Sequence, residues 1–415
     1  MGDARPGQPG SAIPVRPLLL VALVGVVVRL AFGFGYWTDQ PMTRDEHEYL
    51  SLARSLTAGE GFTYDPILTE GGAEPFGRAP GYPAFLALVG GGLAPAEAVP
   101  TRVKIAQSIL GGLGVLMVGL LAQRIGGPGG GVLAAIGAAG YPPLVWIAGY
   151  ALSEALFWPI GLLAAWLFDR AVRSRILSDA LLCGLALGVG TLIRPALILF
   201  LPLAALYLLS RRQLVTFAVV AAGLFLVVGP WTIRNYSHHG RLVFVASEGG
   251  VTFWTGNHPL AIGDGDMAAN IAIKRDNQRL REQYPSIGEE DMEPIYYREA
   301  LTWIRQHPID WVTLQVRKVF YLVVPAGPSY TLHSTLYHVA SVVSYLTILG
   351  LVLATIPRNR PALATVPGLW LLAASAVMVA LVFFPQERFR IPVIDPVLVI
   401  LAGAGLASSR RVRRA

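Results

Sequence analysis

The stretch PLLLVALVGVVVRLAFGFGY, residues 17–36, has one charged side chain among twenty residues and decides the class of fold. An α-helix needs about 20 mostly apolar residues to cross a bilayer core of about 30 Å. Comparable stretches recur along nearly the whole chain, which has 415 residues, 54% of them hydrophobic and 14% charged. This composition excludes an ordinary soluble protein and predicts an all-α polytopic membrane protein.

Ten of these stretches are predicted to be transmembrane spans. Two further apolar segments, 81–93 and 311–325, are predicted to be interfacial or re-entrant helices on the outer face, because both are short and the second contains Arg317 and Lys318. Either segment is a candidate for an eleventh span, so we expect about 10–11 transmembrane helices. The ten predicted spans are 17–36, 102–125, 129–148, 153–172, 178–193, 195–209, 213–233, 336–356, 363–384 and 391–408.

The arginines of the short loops set the predicted orientation, because basic loops stay on the cytoplasmic side of a membrane. With ten spans and a cytoplasmic N-terminus, the inner face carries 14 arginines and three acidic residues. A full span at 311–325 would move Arg358, Arg360 and the basic C-terminal residues to the outer side. We therefore expect a multi-pass protein of the cell (plasma or inner) membrane with both termini cytoplasmic. The net charge of +7 then reflects topology and not nucleic-acid binding.

This topology leaves two hydrophilic outer segments, 37–101 and 234–335, as the places with room for water-exposed chemistry. The second has a charged helical stretch near 270–305, which we expect to form a small cap. The predicted parts of the chain are a cytoplasmic tail at 1–16, a membrane domain at 17–408 that includes both outer segments, and a basic cytoplasmic tail at 409–415.

The motif TRDEHEY, residues 43–49, follows the first predicted span and places two carboxylates side by side at the membrane surface. In a partly buried cleft such a pair repels, which raises one pKa and leaves one group suited to accept a proton at neutral pH. The simpler interpretation is an aspartate N-cap on an ordinary amphipathic helix. Asp45 and Glu46 are therefore the candidate catalytic residues.

The segment EPFGRAPGYP, residues 74–83, places Arg78 at the edge of an apolar helix. A guanidinium group is always charged and presents a fork of donors, which suits a phosphate at the depth of a lipid headgroup. The simpler interpretation is an interfacial arginine whose charged end reaches up to water.

Other charged residues lie near the outer ends of predicted spans. Charged residues at membrane depth are costly and usually face a cavity or mark a substrate path, so their convergence with Arg78 indicates an anionic ligand. Taken singly, each is more readily a topological anchor. These candidate substrate-binding residues are Glu154, Arg194, Arg234, Arg388 and Arg390.

Arg29 lies inside the first span, where we expect it to pair with an outer carboxylate or to reach toward the surface. Six of the seven histidines fall in outer segments, which leaves a divalent metal open, although their spacing matches no zinc template. Glycine-rich nucleotide loops are missing, because the turn at 126–131 lacks the lysine of a phosphate-binding loop. No cofactor is assigned, and the energy for any reaction must arrive with the substrate.

The order of these motifs resembles that of GT-C fold glycosyltransferases that use lipid-linked sugars, specifically bacterial members of family 39, the group of protein mannosyltransferases and aminoarabinose transferases. The resemblance covers roughly residues 17–408 and adds Tyr82 to the candidate substrate-binding residues. Its motifs are Asp45-Glu46 with Tyr49, Arg78 to Pro83, Ser153-Glu154, Arg194-Pro195, Pro230-Trp231 with Arg234-Asn235, Gly256-Asn257 with Pro259, and Glu387 to Pro392.

The resemblance implies inverting transfer of a sugar from a polyprenyl-phosphate monosaccharide to a protein, lipid or glycan acceptor on the outer side of the membrane. Asp45 would be the base. Arg78 would neutralise the departing lipid phosphate, together with one or more of Arg194, Arg234, Arg388 and Arg390. The resemblance does not extend to the large C-terminal soluble domain of better-known members, so it leaves the acceptor open.

Two functions from other classes compete with this interpretation. A non-enzymatic carrier or flippase for a lipid-linked anion would also use outer-face arginines, but it predicts charges along a path through the bilayer. A structural assembly subunit predicts no paired acids beside a basic cleft. The clustering of charge at one end of the spans favours the enzyme.

Overall fold

The computed structural model describes residues 15–38, 40–65, 77–93, 97–288, 291–329 and 334–412, without the side chains of 356–361 and 410–412. This part of the chain is helical and contains no strand. The predicted fold class, an all-α polytopic membrane protein, is confirmed. Most of the predicted tail at 1–16 lies outside the described residues.

The longest helices lie in the apolar part of the chain. In chain order they are α1 (Val15–Gly35), α2 (Arg44–Ala58), α3 (Gly81–Leu88), α4 (Thr101–Gly140), α5 (Pro142–Trp146), α6 (Ser153–Ser174), α7 (Leu177–Ile193), a 3₁₀ turn (Pro195–Leu199), α8 (Phe200–Ser210), α9 (Leu214–His239), α10 (Gly249–Gly256), α11 (Ile271–Glu282), α12 (Glu293–Gln306), α13 (Pro308–Val323), α14 (Thr335–Leu363), α15 (Pro367–Val382), α16 (Glu387–Arg390) and α17 (Ile394–Val412).

Each predicted span overlaps helix over most of its length. Among the described residues, five helices are long and apolar enough to cross a membrane, namely α1, α4, α6, α9 and the Thr335–Thr355 part of α14. Shorter apolar helices follow at Leu177–Ile193, Pro195–Ser210, Pro367–Val382 and Ile394–Ser409. Helix α4 covers the predicted span 102–125 and the first part of the predicted span 129–148. It bends between them, where Gly127 has φ of 70° in front of Pro128. That backbone conformation suits glycine, and proline cannot continue an unbroken helix.

The third predicted span, 129–148, is interrupted. Helix α4 stops at Gly140, Tyr141 is extended, and the five-residue α5 begins at Pro142. Proline holds the preceding residue away from helical geometry and is tolerated only in the first turn of the next helix. The end of the span predicted at residue 148 was therefore wrong by several residues, because Pro142 and Pro143 stop the helix earlier.

The two ends of α6 carry different polar contacts. Asp169, near its C-terminal end, is bound by Arg124 at 3.1 Å between Nη1 and Oδ2. Just before its N-terminal end, the Ala151 N–H donates to Glu46. Between residues 124 and 151 the chain therefore crosses from the C-terminal end of α6, where Arg124 binds Asp169, to its N-terminal end, where Ala151 contacts Glu46.

Small residues let the core helices approach closely. A Cβ on Gly114 would lie 2.1 Å from the ring of Trp158. Arg29, 1% exposed, lies in this core, donating to the carbonyls of Gly25 (2.9 Å) and Ala138 (3.2 Å), with its guanidinium 5.7 Å from the Trp158 ring centre. The expectation that Arg29 pairs with a carboxylate or reaches the surface was wrong, because backbone carbonyls and an aromatic face surround it.

Helices α10, α11 and α12 form a cap, residues 249–306, with a hydrophobic cluster of its own. The charged helical stretch predicted near 270–305 corresponds to α11 and α12. The cluster that joins the three helices consists of Trp254, Ile273, Met292, Ile295, Tyr296 and Ala300.

Candidate active site

Glu46 closes the N-terminal end of α2. One of its carboxylate oxygens accepts from the backbone N–H (2.7 Å) and the hydroxyl (2.9 Å) of Thr43, whose Oγ1 accepts from the Glu46 N–H. This reciprocal arrangement is a capping box, so the N-cap is Thr43 and not an aspartate. The other oxygen accepts from the Ala151 N–H at 2.8 Å. Glu46, 1% exposed, therefore ties α2 to the segment before α6.

Asp45 points away from that cap and lies between two arginines. Its Oδ1 accepts from Nη2 of Arg78 at 2.5 Å, and its Oδ2 accepts from Nη1 of Arg388. Burial alone would raise the pKa of Asp45, but Arg388 and Arg78 hold it below its usual range. The upward shift expected from repulsion between adjacent carboxylates is not found for Asp45, because the side chains of Asp45 and Glu46 enter different surroundings.

Glu154 holds the second side of the site. It lies in the first turn of α6, is 1% exposed, and binds Nη1 of Arg194 at 2.6 Å and Nε of Arg388. Arg194 stands where α7 ends and Pro195 begins the 3₁₀ turn, so its backbone is extended. Arg388 therefore bridges Asp45 to Glu154, and Arg194 contacts the same oxygen of the Glu154 carboxylate.

Arg78 binds further carboxylates on its own side of the site. It contacts Oε2 of Glu48 at 2.5 Å and Oε1 of Glu248 at 3.0 Å, and its guanidinium lies 5.1 Å from the ring centre of Tyr49. Neither glutamate was among the predicted site residues. Glu48 could have been found, because a residue three positions after Asp45 shares its face of a helix. Glu248 precedes α10, and nothing local to the sequence joins it to α2.

We refer to these connected side chains as the charged network. It combines three arginines with four carboxylates, so every arginine in it already contacts at least one acid. An anionic ligand would therefore compete with carboxylates for these guanidinium groups. The members of the network are Asp45, Glu48, Arg78, Glu154, Arg194, Glu248 and Arg388.

Tyr82 packs next to the network through the ring of Tyr49. It is fully buried and donates its hydroxyl to Oε1 of Gln107 at 2.6 Å. Its ring meets the ring of Tyr49 edge to face, 4.9 Å between centres, and Tyr49 in turn lies against Arg78. The contacts described for Tyr82 are therefore this hydrogen bond to Gln107 and ring packing, and none of them is to a charged side chain of the network.

Arg234 and Arg390 contact neighbours outside the network in the described part of the chain. Arg234 donates to Oδ1 of Asn235 at 3.4 Å and lies 5.0 Å from the ring centre of Trp231. Arg390, 3% exposed, binds Oδ1 of Asp395 at 2.8 Å. Of the seven predicted substrate-binding residues, the network therefore takes Arg78, Glu154, Arg194 and Arg388.

The residues that the structure describes include no group of three or more His, Cys, Asp or Glu side chains placed to hold a metal ion. Within the network, guanidinium groups bind the carboxylate oxygens that a cation would need. These residues therefore provide no fit for the divalent metal that the sequence left open.

Residues 80–233 match the family model described as dolichyl-phosphate-mannose-protein mannosyltransferase, a range that contains Glu154 and Arg194 but not Asp45 or Arg388. A comparison with curated proteins gives no match.

Among solved structures, the chain is similar to the oligosaccharyltransferase AglB from Archaeoglobus fulgidus in complex with an inhibitory peptide and a dolichol-phosphate. The TM-score is 0.58 at 16% identity, over 96% of this chain and 51% of that one. The apo form of the Archaeoglobus fulgidus oligosaccharyltransferase gives a TM-score of 0.56 at 17% identity, over 94% and 50%. ArnT from Cupriavidus metallidurans bound to undecaprenyl phosphate superposes more loosely, with a TM-score of 0.40 at 14% identity, over 95% and 77%.

The chain spans about half the length of the oligosaccharyltransferase chains that it matches. At these sequence identities, the structural similarity shows the fold alone. This chain is a polytopic membrane protein with the GT-C fold, and over residues 80–233 it is similar to the dolichyl-phosphate-mannose-protein mannosyltransferases.

Proposed function

We propose that the chain is a membrane glycosyltransferase that moves a sugar from a polyprenyl-phosphate-linked monosaccharide to an acceptor hydroxyl. The observation that carries the proposal is the position of Asp45, a carboxylate with a 25% exposed side chain, between the guanidinium groups of Arg78 and Arg388. Such a transfer needs one group that takes a proton and cations that take the charge of a phosphate. The GT-C fold and the match to a mannosyltransferase family support the same reaction class.

The donor is held by its phosphate. Arg78 and Arg388 present planar, permanently charged forks, which suit two oxygens of one phosphate better than lysine would. The similar archaeal oligosaccharyltransferase was solved with a dolichol-phosphate, a lipid with the same phosphate group. Glu154 and Arg194 keep Arg388 in place from the far side, so Arg388 can change partners at one end without leaving the site.

Donor binding activates the base. While Arg78 and Arg388 contact Asp45, its pKa is low and it is a weak proton acceptor. When phosphate oxygens take those N–H donors, Asp45 loses the contacts that lower its pKa, while burial continues to raise it. Asp45 then becomes a stronger base only in the complex with the donor, which couples proton transfer to the presence of the leaving phosphate.

The reaction is a single displacement at the anomeric carbon. The acceptor oxygen attacks C1, and its proton passes to Asp45. The bond from C1 to the phosphate oxygen breaks, and its electron pair leaves on the lipid phosphate, whose charge Arg78 and Arg388 stabilise. Attack from the face opposite the leaving group inverts the configuration. Phosphate is a good leaving group, so the step needs no acid from the protein.

Glu46 has a positioning role in this mechanism. Its oxygens accept three hydrogen bonds, from the two donors of Thr43 and from the Ala151 N–H. A carboxylate occupied in this way cannot also accept the proton of the acceptor without breaking the cap. We therefore propose that Glu46 orients the first turn of α2, from which Asp45 projects.

The network faces the outer side of the membrane. It lies at the Glu154 end of α6, whereas Arg124, Arg170 and Arg173 lie toward the other end. Because basic loops stay in the cytoplasm, we assign that other end to the cytoplasmic side, both termini to the cytoplasm and the chain to the cell membrane.

The alternative function is a carrier or flippase for a lipid-linked anion. A carrier needs polar groups along a path through the bilayer. Between Glu154 and Asp169, helix α6 contains no charged residue, and the network is confined to one end of it. This distribution favours chemistry at a surface over passage through the membrane.

Reconstitution of the purified chain in lipid nanodiscs tests the function. Synthetic polyprenyl-phosphate monosaccharides are added one at a time, and release of polyprenyl phosphate is followed by mass spectrometry. We expect at least one donor to lose its sugar to a hydroxyl acceptor. Movement of an intact donor across a liposome bilayer, with no release of polyprenyl phosphate from any donor, would instead establish the carrier. Mass spectrometry of envelope glycans after deletion of the gene names the sugar and the acceptor.

A further inference from the structure

A cavity of about 290 Å³ opens in the cap, among α10, α11 and α12. Its lining includes two tryptophans, Trp254 and Trp303, and the polar residues His258, Asp276, Arg279, Gln283 and Glu299. The volume is near the lower end of the range for small-ligand sites, and aromatic walls with a few placed polar groups are typical of such sites. None of these residues belongs to the charged network.

The α10 side of the cavity is tied to its surroundings by ring contacts and hydrogen bonds. Trp254 belongs to the hydrophobic cluster of the cap and lies 4.4 Å from the ring centre of His258. Asn257, between them in sequence, accepts from Nε1 of Trp311 (3.0 Å) and donates to the carbonyl of Val382 (2.8 Å), at the end of α15. The cavity is therefore fixed to the membrane helices through α10.

The buried polar group of the cavity is held in one tautomer. His258 is 3% exposed, and its Nδ1 accepts from the Leu260 N–H at 3.1 Å. A backbone N–H can only donate, so the proton of the neutral ring is on Nε2, 3.5 Å from Oδ2 of Asp276. Burial lowers the pKa of His258, which keeps the ring neutral. Asp276 is thereby oriented as an acceptor at the cavity wall.

The charges around the cavity compensate one another. Asp276 binds Arg279 at 3.1 Å, and Glu299 binds Arg298 at 3.6 Å. A ligand with a full charge would therefore find no unbalanced partner there. A neutral ligand with hydroxyl groups matches this wall, because hydroxyls both donate to carboxylates and accept from guanidinium groups.

We propose that this cavity binds a neutral sugar unit of the acceptor, with the C–H face of the sugar against Trp303 and its hydroxyls on Asp276 and Glu299. The proposal rests on the proposed glycosyltransferase function and names its acceptor class, a glycan or glycosylated molecule. Indole rings supply a large, rigid apolar face that a sugar ring can cover.

The cavity lies at a useful distance from the chemistry. Helix α10 begins directly after Glu248, which contacts Arg78, and ends beside Trp254 and His258. Eight helical residues at 1.5 Å each place the cavity about 12 Å along the axis from the network. The sugar in the cavity is therefore not the unit that reacts, and the acceptor must extend from one site to the other.

Glycan binding by the full chain tests this inference. The protein is placed in lipid nanodiscs, since maltoside detergents carry sugars that could occupy the cavity. Methyl glycosides and short neutral oligosaccharides serve as probes, read by saturation-transfer NMR. We expect one of these probes to bind. Trp303→Ala should raise its apparent Kd about tenfold, the size expected for loss of one aromatic stacking partner. Trp303→Phe should restore most of the affinity.

Matched controls separate the cavity from the fold and from the transfer reaction. Asp276→Asn should weaken binding, whereas Asp310→Asn, an exposed aspartate in the first turn of α13, should not. Asp45→Asn should bind the probe like wild type. Absence of binding by every neutral glycan, or binding unchanged by Trp303→Ala and Asp276→Asn, would overturn the inference. Preference for unglycosylated peptides in the same cavity would also overturn it. Transfer without glycan binding would contradict the cavity alone, and glycan binding without transfer would contradict only the proposed function.

Discussion

Replacing Glu46 tests whether that residue positions the site or takes part in the chemistry. Its carboxylate accepts from the Thr43 N–H and hydroxyl and from the N–H of Ala151, a residue with no exposed surface. Glu46→Ala leaves the Ala151 N–H buried without an acceptor, at a cost of about 1–3 kcal/mol. Loss of the capping box adds about 1 kcal/mol. We therefore expect the free energy of unfolding to fall by about 3 kcal/mol. Glu46→Gln, whose amide oxygen replaces one acceptor, should lose less.

Cys183 provides the assay. It is the single cysteine of the chain and is fully buried, so labelling by a maleimide during a denaturant titration reports unfolding. Glu60→Gln, at an exposed position after α2, is the matched control and should unfold like wild type. Below the unfolding transition, Glu46→Gln should keep transfer within about tenfold of wild type, a change of about 1.4 kcal/mol in the barrier. Unchanged stability together with abolished transfer in Glu46→Gln would refute the positioning role.

Three further substitutions have defined outcomes. Arg388→Gln should lower the maximal rate of transfer by about 10²–10³-fold, as loss of one charge-stabilising donor does, and a change confined to the KM of the acceptor would contradict this role. Burial raises the pKa of Glu387 to about 7 from 4.5, so the stability that its bound proton contributes below pH 4.5 is lost as the pH rises through 7. Glu387→Gln should remove this loss of about 3 kcal/mol in the free energy of unfolding, measured against pH by Cys183 labelling. An unchanged pH dependence would contradict the raised pKa of the buried Glu387 carboxyl. Gly256→Ala places a Cβ 1.9 Å from the carbonyl oxygen of Phe383 and should destabilise the chain by about 1–3 kcal/mol in the same assay, whereas wild-type stability would show that the cap is loosely attached.

The spans could be predicted because the signal for them is local. An apolar run of about 20 residues must lie in lipid wherever it occurs, and the bend of α4 was readable from Gly127 and Pro128. The end of that helix at Gly140 was also readable, from the prolines at 142 and 143, but apolar composition outweighed them in the prediction. Arg29 was misjudged because its partners are carbonyls, and sequence patterns do not reveal which carbonyls lie nearby.

The site was predictable in part for the same reason. Asp45, Arg78 and Arg388 stand out as charged residues at the ends of apolar segments, where charge is costly. Glu248 does not, because it comes from a polar segment in which an acid is unremarkable, and only tertiary folding brings it to Arg78. Residue chemistry alone did not separate Asp45 from Glu46, and only the family resemblance singled out Asp45, since adjacent side chains on a helix point in different directions and packing decides their surroundings.

Further contacts show where sequence spacing could have been used better. Arg390 belongs to the same motif as Arg388, yet it binds Asp395, and its guanidinium lies 3.6 Å from the ring centre of Tyr345. Both oxygens of Asp395 are occupied, because Tyr141 donates its hydroxyl to the second one at 2.8 Å. The spacing of Arg390 and Asp395, with the acid in the first turn of an apolar helix, could therefore have indicated a structural ion pair.

The most direct test of the central claim compares Asp45→Asn with Glu248→Gln, two carboxylates that both contact Arg78. In both variants Cys183 should resist maleimide labelling as it does in wild type, which shows that the chain is folded. Asp45→Asn should bind the polyprenyl-phosphate sugar at least as tightly as wild type, because removal of its charge releases two guanidinium groups for the phosphate. It should nevertheless lose at least about 10²-fold in transfer rate, whereas Glu248→Gln should retain transfer. Transfer at the wild-type rate by folded Asp45→Asn would contradict the assignment of Asp45 as the base.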